Sequence, residues 1–178
     1  MMIFEERTFD NETINKLVAD GIHPVLAKIL AGRGIKESSE LNLELKNLLP
    51  PNELKNCQAA ATYLADAFEQ NKPLLIVADY DCDGATACAV GMKGLQELGK
   101  PFNAHVNFIV PNRFTMGYGL TPEVVELAAN QLPKPAIIIT VDNGIASMTG
   151  VDRANELGME VLVTDHHLPA DSLPNAAC

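Results

Sequence analysis

The chain has 178 residues, 47% of them apolar, which suits one domain with a small appendage and a real core. With 23 acidic and 13 basic side chains the formal net charge is −10, which taken alone argues against a nucleic-acid-binding face. The longest apolar runs, "LLIVA" and "AIIITV", fall far short of the roughly 20 residues a bilayer helix needs, so no membrane association is expected.

The opening "MMIFEERTFD" is acidic and has no basic stretch followed by an apolar one, so no secretory signal is expected. The four cysteines (Cys57, Cys82, Cys88, Cys178) form neither a CxxC pair nor a disulfide-like framework. A reducing compartment, the cytoplasm, is the natural setting. Residues 1–52 read as a small helical lead. In it "HPVLAKILAGRGI" carries Pro24 at a helix start and Gly32 and Gly34 near its end. The two prolines of "NLLPPNEL" mark a soft boundary, and residues 53–178 form the main domain.

That domain begins with an amphipathic helix. Leu54, Cys57, Ala61, Leu64 and Phe68 recur at steps of three and four, a stripe that covers a sheet. The period then changes. Apolar, β-branched runs follow at 74–78, 104–110, 136–141 and 160–164. Helical patterns separate them: "GATACAVGMKGLQELG", "TPEVVELAAN" with Thr121 as cap and Pro122 in the first turn, and "ASMTGVDRANELG". Strand starts lie about 24 to 32 residues apart, the size of a βαβ unit. The fold class is therefore α/β: a Rossmann-like parallel sheet with helices on both faces and right-handed connections, preceded by the helical lead.

In such a sheet the carboxyl ends of the strands share one edge, where sites form. The segments after the four strands are "DYDCDG", "PNRFTMGYGL", "VDNG" and "TDHH". Asp79, Asp81, Asp83, Asp142, Asp165, His166 and His167 should therefore converge. Five carboxylates that close cannot all ionise without compensation, and divalent cations supply it. Carboxylate and imidazole ligands suit Mn²⁺, Mg²⁺, Fe²⁺ or Zn²⁺, and two such ions together make a phosphoester hydrolase site. A calcium EF-hand loop is a rival for "DYDCDG", but its twelfth position is Val90 where a bidentate Glu is needed. An aspartyl-phosphate phosphatase motif is a second rival, but the position two beyond Asp83 is Ala85, and 142–144 reads Asp-Asn-Gly. Any single one of these acids could be a turn former or helix cap.

With "DYDCDG", "VDNG" and "TDHH" in order, each after a strand, the chain resembles the DHH phosphoesterase superfamily. The loop "PNRFTMGYGL", with "VTDHHLP", "HPVLAKILAGRGI" and "NLLPP", is similar to its branch of single-stranded-DNA exonucleases. The resemblance implies metal-dependent 5′→3′ hydrolysis of single-stranded DNA in repair and recombination. It implies a two-metal Mn²⁺ or Mg²⁺ site, with Asp81 and Asp83 each on one metal, Asp142 bridging, and His166 completing one shell. It implies that His167 lies beside the scissile phosphate, with Asp79 and Asp165 in support. Some relatives carry a histidine where this chain has Val77, a place Asp79 could fill. Arg113 is the candidate for the substrate phosphate, its alternative being a loop salt bridge. Tyr118 is the candidate for stacking on a base, its alternative a loop anchor. His23 and His105 read as structural. The implied partners are single-stranded DNA and replication or repair proteins.

A fourth motif and later substrate-binding domains of that superfamily are absent from the sequence. The chain therefore reads as the amino-terminal portion of such an enzyme, with little or no turnover alone and with an uncovered sheet edge. The alternatives are a phosphodiesterase for cyclic dinucleotides or short oligoribonucleotides, and a non-catalytic metal-binding fragment.

Overall fold

The computed structural model describes residues 7–178, so the first six residues of the expected lead lie outside the described residues. The chain divides into two compact units, one ending at Glu53 and one spanning Leu54–Cys178.

The first unit is two short helices followed by single turns. Helix α1 (Asn11–Ala19) is capped by Asp10, whose carboxylate accepts from the Glu12 and Thr13 amides. Helix α2 (Pro24–Ala31) is capped by His23, whose Nδ1 accepts from the Val25 amide, and Pro24 begins it as the sequence suggests. Among the described residues of this unit, Leu17 of α1 and Ala27 of α2 are the fully buried apolar side chains. Beyond α2 the lead is less helical than its composition implies, with 3₁₀ turns at Ser38–Leu41, Leu45–Asn47 and Pro51–Glu53.

The second unit is the α/β body. Helix α3 (Cys57–Glu69) precedes β1 (Leu74–Ala78), α4 (Cys82–Gly99) and β2 (Val106–Ile109). A short helix α5 (Arg113–Met116), α6 (Pro122–Ala129), β3 (Ile137–Val141), α7 (Met148–Glu156) and β4 (Glu160–Thr164) complete it. Leu54, read as the first position of the apolar stripe, stays outside α3 and exposed, because the chain enters the helix through Asn56 in a left-handed conformation.

The sheet order is β2-β1-β3-β4, and every neighbouring pair is parallel. The chain steps outward from β1 to β2, then crosses back past β1 to β3. With connections of one hand, that reversal puts the helices on opposite faces. The two cores follow this rule. Leu75, Val77, Ile138 and Val161 pack with α6 and α7 through Val124, Val125, Val151 and Ala154. Leu74, Ile76, Ala78, Ile137, Ile139, Val141 and Leu162 pack with α3 and α4 through Phe68 and Cys88. Strands buried on both faces explain the continuous apolar runs.

Two details shape the edges. The expected bare edge beside β4 is partly covered: Ala177 donates to the Val161 carbonyl, and the Val163 amide donates to Cys178. The opposite edge strand, β2, leaves Phe108 about half exposed.

Helix α7 meets the α5–α6 loop without side-chain spacing. A Cβ on Gly150 would lie 1.7 Å from the Leu120 carbonyl oxygen. Gly150→Ala is therefore expected to destabilise the chain by about 3 kcal/mol in urea unfolding. Gly94→Ala, where a Cβ meets nothing within 4 Å, should instead gain up to about 1 kcal/mol from helix propensity. Equal effects at the two sites would contradict this packing.

Candidate metal centre

The topology places the site. The direction of strand addition reverses between β1 and β3, so the crevice at their carboxyl ends is the ligand position of an open α/β sheet. β4 lies beside β3 and brings its own trailing segment to the same edge.

After β1 the chain turns sharply into α4. Asp81 is the N-cap, its carboxylate accepting from the Gly84 amide at 3.4 Å. Gly84 is required here, since a Cβ would come within 2.7 Å of the Asp79 carbonyl oxygen. Asp83 lies in the first turn of α4, where the helix dipole favours an anion. Hydrogen bonding from its own amide and with Asp81 holds the Asp83 carboxyl below the usual range.

After β3 the turn is Asp142-Asn143-Gly144. Asp142 has φ +62°, a left-handed conformation that aspartate tolerates better than most residues. Its amide donates to the Thr164 carbonyl at 3.0 Å, tying the turn to β4. Asn143 is buried and donates to the Val77 and Val141 carbonyls at 3.1 and 2.9 Å. It thereby joins the ends of β1 and β3 beneath the site. The sequence carries no sign of that role, since "VDNG" reads as turn chemistry.

After β4, the Asp165 side chain is 2% exposed and is surrounded by donors. Oδ2 accepts from the Ile145 amide at 2.9 Å, and Oδ1 from the His166 and His167 amides at 2.8 and 3.1 Å. Burial pushes this carboxyl up, but the backbone donors and His167 outweigh it, and its pKa is lowered overall. Nδ1 of His167 lies 2.7 Å from Asp165 Oδ1. That contact raises the imidazole's pKa.

These segments converge. His166 Nε2 lies 2.9 Å from Asp142 Oδ1 and 3.8 Å from Asp83 Oδ2. Ligand atoms of Asp142, His166 and His167 lie within 4.8 Å of one another, as do those of Asp79, Asp81 and Asp142. Asp142 belongs to both groups. A cleft of about 360 Å³ beside them is lined by Asp83, Ala87, Asp142, Thr164, Asp165 and His166.

The donor set fits divalent cations. Asp142 is 7% exposed, and its Oδ2 is buried with no hydrogen-bond partner. Burial and the neighbouring Asp83 and Asp81 charges raise its pKa in spite of the His166 contact. A carboxylate held this way is stabilised by a cation, and oxygen with imidazole nitrogen suits Mn²⁺ or Mg²⁺.

The β2–α6 loop closes one side. Arg113 Nη2 donates to the buried Asp79 at 2.7 Å. The loop salt bridge, the alternative role for Arg113, is thus present, and one edge of the guanidinium is engaged by Asp79. Tyr118 Oη lies 3.4 Å from the Asp142 carbonyl oxygen, to which it donates, and 3.3 Å from His167 Nε2. Its ring meets the His167 ring edge-on at 5.9 Å. Burial and then the charges of Asp79, Asp165, Asp142 and Asp81 push its phenol up to about 12. Its hydroxyl therefore stays protonated at neutral pH.

The family model "DHH family, N-terminal domain" matches residues 73–178, and the chain belongs to that family. The single-stranded-DNA-specific exonuclease RecJ of Escherichia coli is 42% identical over 153 residues, 86% of this chain and 26% of that protein. A crystal structure of exonuclease RecJ bound to manganese matches with TM-score 0.60 and 35% identity, over 72% of this chain and 31% of that one. RecJ of Thermus thermophilus in complex with Mn²⁺ matches with TM-score 0.56 and 29% identity, over 93% of this chain and 22% of that one. The chain thus spans about a quarter of the length of such relatives.

Two outcomes follow for the metal-free protein. Asp142→Asn removes a buried charge whose raised pKa makes ionisation unfavourable, so it should raise the thermal midpoint at pH 7. A lowered midpoint would contradict the crowding. In an NMR titration His167 should titrate above 6.5. The His167 share of its pairing with Asp165 is fully present below pH 6.5 and is lost as pH rises through the raised value. The Asp165 share is present above pH 3.8 and is lost as pH falls through its lowered value. A His167 midpoint below 6.5 would contradict the contact.

Proposed function

We propose that this DHH-family chain is the amino-terminal part of a metal-dependent exonuclease that hydrolyses single-stranded DNA from its 5′ end. The observation that carries the reading is Asp142: buried, orphaned at Oδ2, and common to both groups of clustered ligand atoms. The 42% identity to an exonuclease of that specificity supports the substrate class. In this reading residues 53–178 are an incomplete DHH domain, and residues 1–52 are its lead.

Asp81, Asp83, Asp142 and His166 would hold Mn²⁺ or Mg²⁺, and Asp142 is the residue common to both groups of clustered ligand atoms. When bound, such ions lower the pKa of water and stabilise charge on the entering and leaving oxygens of a phosphodiester. The other roles belong to the chain's own groups. Asp165 orients His167 through Nδ1, and Nε2, 3.3 Å from the Tyr118 hydroxyl, is the nitrogen that would exchange a proton at the reacting phosphate. Asp79 fixes Arg113, whose remaining N–H groups are available to a phosphate oxygen. Tyr118 braces His167 through its hydroxyl and offers a ring to a base. Hydrolysis breaks the P–O3′ bond as the oxygen of water joins phosphorus, and mononucleotides leave in turn.

The setting is the reducing cytoplasm, with replication or repair proteins as working partners. Among the described residues no helix is long and apolar enough to cross a membrane. The 178 residues alone are expected to bind the ions weakly and to turn over slowly or not at all.

The test is Mn²⁺-dependent release of mononucleotides from a 5′-phosphorylated single strand by the intact enzyme that carries this segment. Asp142→Ala should lower it by about 10³-fold or more, with circular dichroism unchanged. Activity within about tenfold of the parent would overturn the assignment.

A further inference from the structure

Beside the acids sits a group of aromatic side chains that the metal chemistry does not use. Tyr80 lies between Asp79 and Asp81 and is 56% exposed; Phe114 is 85% exposed. Their rings meet edge to face at 6.4 Å and 77°. The Arg113 guanidinium lies 5.7 Å from the Tyr80 ring and 5.7 Å from the Tyr118 ring. Single exposed aromatics are ordinary; rings grouped around a cation at the rim of a site are not.

The loop holds Phe114 outward rather than leaving it loose. Asn112 Oδ1 accepts from the Phe114 amide at 3.0 Å, and Thr121 Oγ1 donates to the Met116 carbonyl at 3.0 Å. Met116, two residues on, packs against the buried core. The segment is thus anchored on one side and presents an aromatic face on the other.

We propose that Tyr80 and Phe114 form a stacking platform for an unpaired nucleobase next to the scissile phosphate. The inference rests on the exonuclease reading and deepens it. Charge favours a base as the occupant. The chain is acidic overall and one edge of Arg113 is held by Asp79, so beyond that guanidinium's remaining N–H groups the platform offers a strand few ionic contacts. A base presents a neutral π-face that stacks on aromatic rings whatever its identity. In a duplex that face is covered by neighbouring base pairs. The platform would therefore select single strands without reading sequence.

The test measures binding of a labelled thymidine pentanucleotide and of an abasic strand of the same length to the 178-residue chain by fluorescence anisotropy. The parent chain should prefer the thymidine strand by about tenfold. Tyr80→Ala with Phe114→Ala should bring the two strands within about twofold, and Phe114→Trp should retain the preference. Both rings are exposed, so truncation removes little packing. Equal affinity of the parent for the two strands, no binding of either, or a preference undiminished in the double variant would overturn the platform. If the base preference holds but Mn²⁺ does not bind at Asp142 and His166, the exonuclease reading falls and the platform stands. If Mn²⁺ binds there and the abasic strand binds equally well, the platform falls alone.

Discussion

Crowding of negative charge at one end of the sheet is the constraint around which this protein is arranged. Like charges about 5 Å apart repel by roughly 3 kcal/mol at an effective dielectric near 20. Each acid but one has a local remedy. Arg113 neutralises Asp79; Asp81 caps α4; Asp83 sits in the first turn of that helix. Asp165 is enclosed by backbone amides and His167. Asp142 has His166 on one oxygen and nothing on the other. The orphaned oxygen of Asp142 and the acids crowded around it make a donor set suited to a divalent cation.

The sheet makes the crowding possible. Its order brings the ends of β1 and β3 side by side although their residues are about sixty apart in sequence. Two apolar cores, one on each face, hold the strands so that neither can move away from the repulsion. Asn143 then joins the two strand ends with buried hydrogen bonds, and the Asp142 amide ties the turn to β4. The left-handed φ of Asp142 belongs to the same arrangement. It is strain that bonds on either side retain.

Much of this was legible in the sequence because the signals are local. Continuous β-branched runs gave β1 at 74–78 and β4 at 160–164 to the residue, and Thr121 with Pro122 gave the start of α6. The convergence of "DYDCDG", "VDNG" and "TDHH" followed from strand direction alone. What was not legible is either a local boundary too short to leave a period or a contact that depends on long-range pairing. Helix α4 begins two residues before the expected "GATAC" because Asp81 caps it. The loop "PNRFTMGYGL" contains α5, a four-residue helix too short to leave a period. The Arg113–Asp79 pair joins residues 34 apart, a separation that leaves no local pattern in the sequence. The proximity of Tyr80 to Phe114 has no sequence signature, because it depends on β1 and β2 being neighbours.

The most direct measurement is the anomalous difference map of a crystal of this chain soaked in Mn²⁺. Density is expected within coordinating distance of Asp142 Oδ2, with Asp81, Asp83 and His166 supplying the remaining protein ligands of the ions bound there. A well-ordered crystal with no ion at Asp142, or with manganese bound only elsewhere, would contradict it.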